Sequence, residues 1–250
     1  MNKARKKIII LKSQLAQQVE NDIANYKRAI IREIDYRWRT LKNKSEMPDI
    51  KQLQEEVLKR LRIPPDIQKA IASELEETQK QIAQVWNDYF TKAINSKEII
   101  QPAPGDYEKM LASYKVDFPA LTDTLRDTVK REFIQSIKSD YSFEQLRSNL
   151  RKNGLGDFQA TTEANTAIAQ FDNAYHVENA LQAGVEEFLW DGPPPMENSH
   201  SLCIENTGKT FTLTQLSSMY NGTDLPVETA LGGYNCRHYL TAVIVKENDK

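Results

Sequence analysis

Cysteine is scarce: two in 250 residues, too few for the disulfide framework that staples small secreted domains. Nine glycines and ten prolines cannot punctuate a chain of many tight hairpins. Long apolar runs are missing as well. The longest near the start is Ile8-Ile9-Ile10-Leu11. A signal peptide needs roughly 7–15 apolar residues and a spanning helix about 20. These absences exclude a membrane protein, a collagen-like fibre and a disulfide-dense scaffold, and they place synthesis in a reducing cytoplasm. The sequon Asn221-Gly222-Thr223 carries no weight without secretion. There is no P-loop, no dinucleotide fingerprint, no His-Glu-x-x-His and no Gly-x-Ser-x-Gly, so the commonest routes to catalysis are not signalled.

What is present favours long helices. Apolar residues make up 40% of the chain and charged residues 27%, enough for a core under a heavily charged surface. Leu11, Leu15, Val19, Ile23, Tyr26, Ile30, Ile34, Trp38 and Leu41 recur about every 3.75 residues, a helical period. That stripe requires a partner, either within the chain or on a neighbouring subunit. Pro48-Asp49 restarts a helix that Pro64-Pro65 stops. Asp66 opens another, running to about Asn95. A turn is expected over 101–105 and a short, ill-defined helix over 106–114. Phe118-Pro119 precedes a helix through Ile137, and Ser142 caps a short one that Asn153-Gly154-Leu155-Gly156 ends. An alanine-rich helix follows over about 158–183, before a stop at Gly184.

From there the texture changes. Val185–Trp190 is β-prone and aromatic, Phe211-Thr212-Leu213 leads into a short helix, and Tyr239–Val245 reads as a final strand. The expected architecture is mainly α, with long helices forming an extended helical body over 1–183 and a small α+β cap over 184–250.

Charge is uneven. Residues 1–44 hold twelve Lys/Arg and four Asp/Glu, an excess of +8 in a chain whose net charge is −2. A basic arm of this kind suits a phosphate backbone or an acidic protein surface. Its candidate contact residues are Lys3, Arg5, Lys6, Lys7, Lys12, Arg28 and Arg32; the alternative is an ordinary solvated helix face.

Both cysteines fall in the last fifth of the chain, and two of the three histidines, His200 and His238, lie beside them. His200, Cys203, Cys236 and His238 offer two sulfurs and two imidazoles, the donor set of a tetrahedral zinc site. The spacing Cys236-x-His238 is tighter than usual. A Cys203–Cys236 disulfide and a pair of plain buried thiols are the other two readings. All three bring the cysteines together. Arg237 reads as an internal brace to Asp191 or Glu197, and His176, alone in mid-helix, as structural. A Cys203–His238 nucleophile pair lacks any sign of a cleft or an oriented base.

The ordered set Thr162-Glu163, Ala183-Gly184-Val185, Phe188-Leu189-Trp190, Cys203, Gly208-Lys209-Thr210-Phe211 and Gly232-Gly233-Tyr234-Asn235-Cys236-Arg237-His238 resembles the end of the phage Mu protein F-like head-morphogenesis family, over about 155–245. Where that family often has an Arg-Thr-rich approach to the first cysteine, this chain has Glu197-Asn198-Ser199-His200-Ser201. The resemblance implies a non-enzymatic minor capsid protein of a tailed bacteriophage, made in the host cytoplasm and located inside the head near the portal vertex. It implies a portal protein and a major capsid or scaffolding protein as partners, and a part in procapsid assembly. It also brings packaged double-stranded DNA within reach, and with it genome packaging or ejection. A DNA-binding protein using the basic first helix is the alternative, and a Cys/His-dependent enzyme or toxin effector a more distant one.

Overall fold

A computed structural model of the chain describes residues 3–46, 48–93, 104–140, 142–152, 157–197 and 199–244. Of the turn expected over 101–105, residues 101–103 lie outside the described residues and Pro104-Gly105 instead open a helix; the stop at 153–156, the end of the third helix beyond 93 and the last residue of the final strand also lie outside them. The fold is mainly helical, with long helices and one small antiparallel sheet near the C-terminus.

The first helix, α1 (Lys3–Lys44), takes up the whole of the expected period. α2 (Ile50–Leu58) starts where Asp49 accepts a hydrogen bond from the Gln52 amide. α3 spans Pro65–Ala93 and α4 spans Pro104–Ser113. α5 (Phe118–Lys138) is capped by Asp117, which accepts from the Ala120 amide. α6 (Phe143–Lys152) opens on a reciprocal box in which the Ser142 hydroxyl accepts from the Gln145 amide and the Gln145 side chain accepts from the Ser142 amide. α7 spans Asp157–Gln182. Then come β1 (Glu187–Asp191), α8 (Ser201–Asn206), β2 (Thr210–Thr212), α9 (Leu213–Ser217), α10 (Val227–Ala230) and β3 (Tyr239–Ala242).

The chain divides into two compact units, each discontinuous in sequence. One comprises 17–72 and 116–161. Its core holds Val19, Ile23, Tyr26, Ile30 and Ile34 of α1, Leu53 and Val57 of α2, and Leu121, Leu125, Val129 and Phe133 of α5. The α1 stripe is therefore buried within the chain along this stretch. Trp38 stacks on Phe143 with ring centroids 4.4 Å apart, and Arg147 donates to Asp35 at 2.7 Å.

The other unit comprises 1–16, 73–115 and 162–250. The textural change at 183/184 falls inside it, because α7 and the sheet share one core. α7 is buried on most sides here: Ala164, Ala167, Ile168, Phe171, Tyr175 and Ala180 are all internal. Its small residues permit close approach by neighbouring elements. The sheet has the order β2-β1-β3, both pairings antiparallel, with Phe188 opposite Phe211 and Ala242, and Trp190 opposite Leu240. Phe188 and Trp190 sit two residues apart on one face of the central strand and are wholly buried, as the two-residue repeat of a strand dictates.

Candidate functional site

Asp172 with its counter-ions, and the two cysteines with His238, all belong to the second of these units. Asp172 of α7 is completely buried. One of its oxygens accepts from the Trp86 indole N–H at 2.7 Å. The other takes Arg5 at 2.7 Å and Lys12 at 2.5 Å, both from α1. Arg5 is 2% exposed, also donates to the Leu240 carbonyl at 2.9 Å, and lies between the rings of Trp86 and Tyr239. Burial alone would raise the Asp172 carboxyl. Arg5 and Lys12 outweigh it and hold the group at about 2. Burial likewise pushes the Lys12 ammonium below its usual value, against the pull of Asp172.

These contacts correct part of the expected basic arm. Arg5 and Lys12 are counter-ions of Asp172 and do not belong to the exposed basic face. Lys3, Lys6, Lys7, Arg28 and Arg32 stay exposed. Asp172 is one of four acids in α7, and nothing near it in the chain singles it out or identifies cations 160 or more residues away. His176 is structural, as read from its place in the helix. Its Nε2 accepts from the Ala242 amide at 3.0 Å, and its ring packs on Trp86 and Phe90. Burial, with Arg5 nearby, lowers it to about 3, so it is neutral.

The cysteine site is built by a bent turn. Leu231, Gly233 and Asn235 all take positive φ (48°, 94° and 56°), an unusual density for five residues. The Asn235 amide donates to the Thr166 hydroxyl at 2.9 Å and the Asn165 amide group donates to the Asn235 side chain, which fastens the turn to α7. The chain returns so that Cys236 faces Cys203 of α8 with the sulfurs 3.6 Å apart. Both thiols are free. Glycine at 232 is what permits this: a Cβ there would lie 2.4 Å from the Cys203 sulfur and 3.3 Å from that of Cys236.

His238 Nδ1 lies 3.8 Å from the Cys236 sulfur. The shared hydrogen bond raises the Cys203 thiol, with burial adding to the shift, and the same bond lowers the Cys236 thiol. The pair thus holds one proton more tightly and the other less. Cys203, Cys236 and His238 bring three ligand atoms within 4.8 Å of one another, close enough to bind a metal ion. Tetrahedral zinc, with bonds of about 2.3 Å to sulfur and 2.0–2.1 Å to nitrogen, sets S–S and S–N edges of about 3.8 and 3.6 Å. Two of the three spacings, 3.6 and 3.8 Å, lie near those edges, and the third lies within 4.8 Å. His200 is not brought in. It is exposed, and its Nε2 is directed towards Gly222.

Arg237 does not brace Asp191 or Glu197; it reaches the Met196 thioether at 3.9 Å. Asp191 instead accepts from the Thr241 hydroxyl and the Gly192 amide. Asn221 of the sequon is 1% exposed, with its side chain bonded to Leu225, Leu231 and Thr223. It is a structural residue of the turn.

Between the two clusters lies a cavity of about 740 Å³ that the sequence did not signal. Arg5, Ile9 and Lys12 of α1, Ile168 of α7, Cys236, Arg237 and Tyr239 line it. Three cations and no acid are among its lining residues. No helix among the described residues is long and apolar enough to cross a membrane. Compared with protein-family models, curated proteins and solved structures, the chain matches none.

Proposed function

We propose that this chain is a non-catalytic minor capsid protein of a tailed bacteriophage, bound at the portal vertex inside the head and serving procapsid assembly. The reading rests on the ordered C-terminal residues. The observation that supports it best is the closure of that motif in space: Cys203 and the Gly232–His238 turn, 33 residues apart at their cysteines, meet with sulfurs at 3.6 Å. Such a closure gives a small module a fixed surface with which to meet a portal ring or a shell protein.

Zinc is the ion we assign to Cys203, Cys236 and His238. When bound it would tie α8 to the turn before β3 through three protein ligands, with the fourth position left to water or another donor. Lys3, Lys6, Lys7, Arg28 and Arg32 carry the part of the proposal that concerns packaged DNA, since Arg5 and Lys12 are engaged internally. Mass spectrometry of purified particles tests the reading. The chain is expected in assembled heads, far below the shell protein in amount and retained with the portal ring, with zinc in proportion to it. Particles that lack it altogether refute the proposal.

A further inference from the structure

We propose that Cys203 and Cys236 form a thiol–disulfide switch oxidised by small anionic disulfides that enter the cavity, with Cys236 as the attacking sulfur and Cys203 as the resolving one. The switch acts on the metal-free thiol pair, so zinc held by the same sulfurs would block it, and it does not depend on the role in head assembly.

Three observations carry it. The sulfurs lie 3.6 Å apart on separate segments, so closing to the roughly 2.05 Å of a disulfide needs a shift of only about 1.5 Å. The two sulfurs differ in access. Cys236 is half-buried and lines the cavity, whereas Cys203 is 2% exposed and does not. The cavity also has a sign. Arg5, Lys12 and Arg237 line it, and Asp172, a carboxylate paired with the first two, is itself fully buried. Its volume of about 740 Å³ is in the range that takes a small organic molecule. An anionic disulfide is therefore drawn to the one sulfur it can reach.

The chemistry balances. The Cys236 thiolate attacks one sulfur of the small disulfide, breaking that S–S bond and releasing one thiolate, which takes a proton. Cys203 then gives up its proton and attacks the Cys236 sulfur of the mixed disulfide. The second small thiol leaves. Two protein thiols and one small disulfide become one protein disulfide and two small thiols, and two electrons pass from protein to oxidant. The product ties α8 covalently to the turn before β3.

The test treats the full, freshly reduced chain, with a chelator present, with oxidised glutathione (anionic), hydroxyethyl disulfide (neutral) or cystamine (cationic). Wild type is expected to lose both thiols to an internal disulfide. Cys203→Ser is expected to accumulate one mixed disulfide, mapped by peptide mass to Cys236. Cys236→Ser is expected to react about tenfold or more slowly, as a buried thiol should. Oxidised glutathione is expected to outpace cystamine by about threefold or more, with Arg237→Gln narrowing the gap. Circular dichroism checks each variant. Gly232→Ala supplies a second route: its Cβ would intrude on the Cys203 sulfur, so closure slows while the adduct on Cys236 still forms. Absence of an internal disulfide, labelling of Cys203 as fast as Cys236, or cystamine reacting as fast as glutathione overturns the proposal.

Discussion

Replacing Asp172 by asparagine keeps the shape of the side chain and removes one negative charge from a fully buried position. The Trp86 indole still finds an acceptor. The cations do not fare equally. Lys12 is about one-fifth exposed and can swing towards solvent. Arg5 is 2% exposed and cannot shed its proton. Removing one partner of a buried pair costs about 3–5 kcal/mol, because a buried charge is left uncompensated. The rings of Trp86 and Tyr239, 4.6 and 4.0 Å from the guanidinium carbon, offset part of that. The expected loss is thus near the lower end, about 3 kcal/mol, or roughly 6–12 °C in midpoint for a chain of this size. Urea unfolding at pH 7 followed by tryptophan fluorescence measures it. A companion variant, Arg5→Met with Asp172→Asn, separates charge from packing. If the cost is an unpaired cation, removing that cation recovers a large share of the stability. As a control, Glu76→Gln breaks an exposed pair with Lys80 and should leave the midpoint unchanged. An Asp172→Asn protein within about 0.5 kcal/mol of wild type would refute the reasoning.

Two further outcomes follow from buried groups and close approaches. His176 is held at about 3, below its unfolded value near 6.5, so the unfolded chain binds the extra proton first and stability falls as pH drops through that window. By pH 5 the loss is about 2 kcal/mol, and His176→Gln, which keeps an acceptor for Ala242, should remove that slope from acid-unfolding curves. Gly192 has φ of +149°, and a Cβ there would lie 2.9 Å from the His238 Cα and 2.8 Å from its ring, so Gly192→Ala should cost about 2 kcal/mol or more by thermal denaturation. Gly208, at φ +86° with open space around it, isolates the backbone part, and Gly208→Ala should cost only about 1 kcal/mol; equal effects at the two positions would contradict the steric account.

The long helices were legible because each carries many turns of repeat, and several shorter ones because a capping residue marks their start. The α1 stripe from Leu15 to Leu41 is internal except for the half-buried Trp38, and Ser142 closes the box at the head of α6. Of the short elements, β1, β3 and α9 were legible, and α8, α10 and β2 were not. α8 and α10 have six and four residues, too few to show a period, and β2 has three. The cysteine pairing was readable from the clustering of four chemistry-bearing residues in one stretch. The orientation of His200 was not, since it sits at the N-cap of the unread helix α8 and turns towards Gly222. Arg5 and Lys12 were read with their neighbours because local sequence cannot distinguish an arginine bound for a buried acid from one bound for solvent. What decides it is the helical angle: Arg5, Ile8 and Lys12 fall three and four residues apart, on the inward side of α1, and Lys3, Lys6 and Lys7 fall elsewhere.

The same angle explains why no local motif marks the cavity. Its walls come from residues 5–16, 165–169, 192–193 and 235–239, four segments that meet only when this unit folds. Each segment looks ordinary alone: a basic amphipathic helix, a run of small residues, a glycine-proline turn, a strand entrance. Joined, they put three cations and one accessible sulfur in the lining of the same cavity, two of the cations paired with a buried carboxylate. The salt-bridged cluster and the thiol are consequently coupled through α1, which supplies Arg5 and Lys12 to Asp172 and also lines the cavity that Cys236 lines. Loss of Asp172 should therefore be felt at the cysteines as well as in global stability. With its counter-ion gone, the first turns of α1 lose their anchor, and Cys203, shielded in the wild type, should become reactive towards a thiol reagent under conditions where the rest of the chain stays folded. Cys203 remaining as protected in Asp172→Asn as in wild type would show that the sheet and α8 shield it without help from α1.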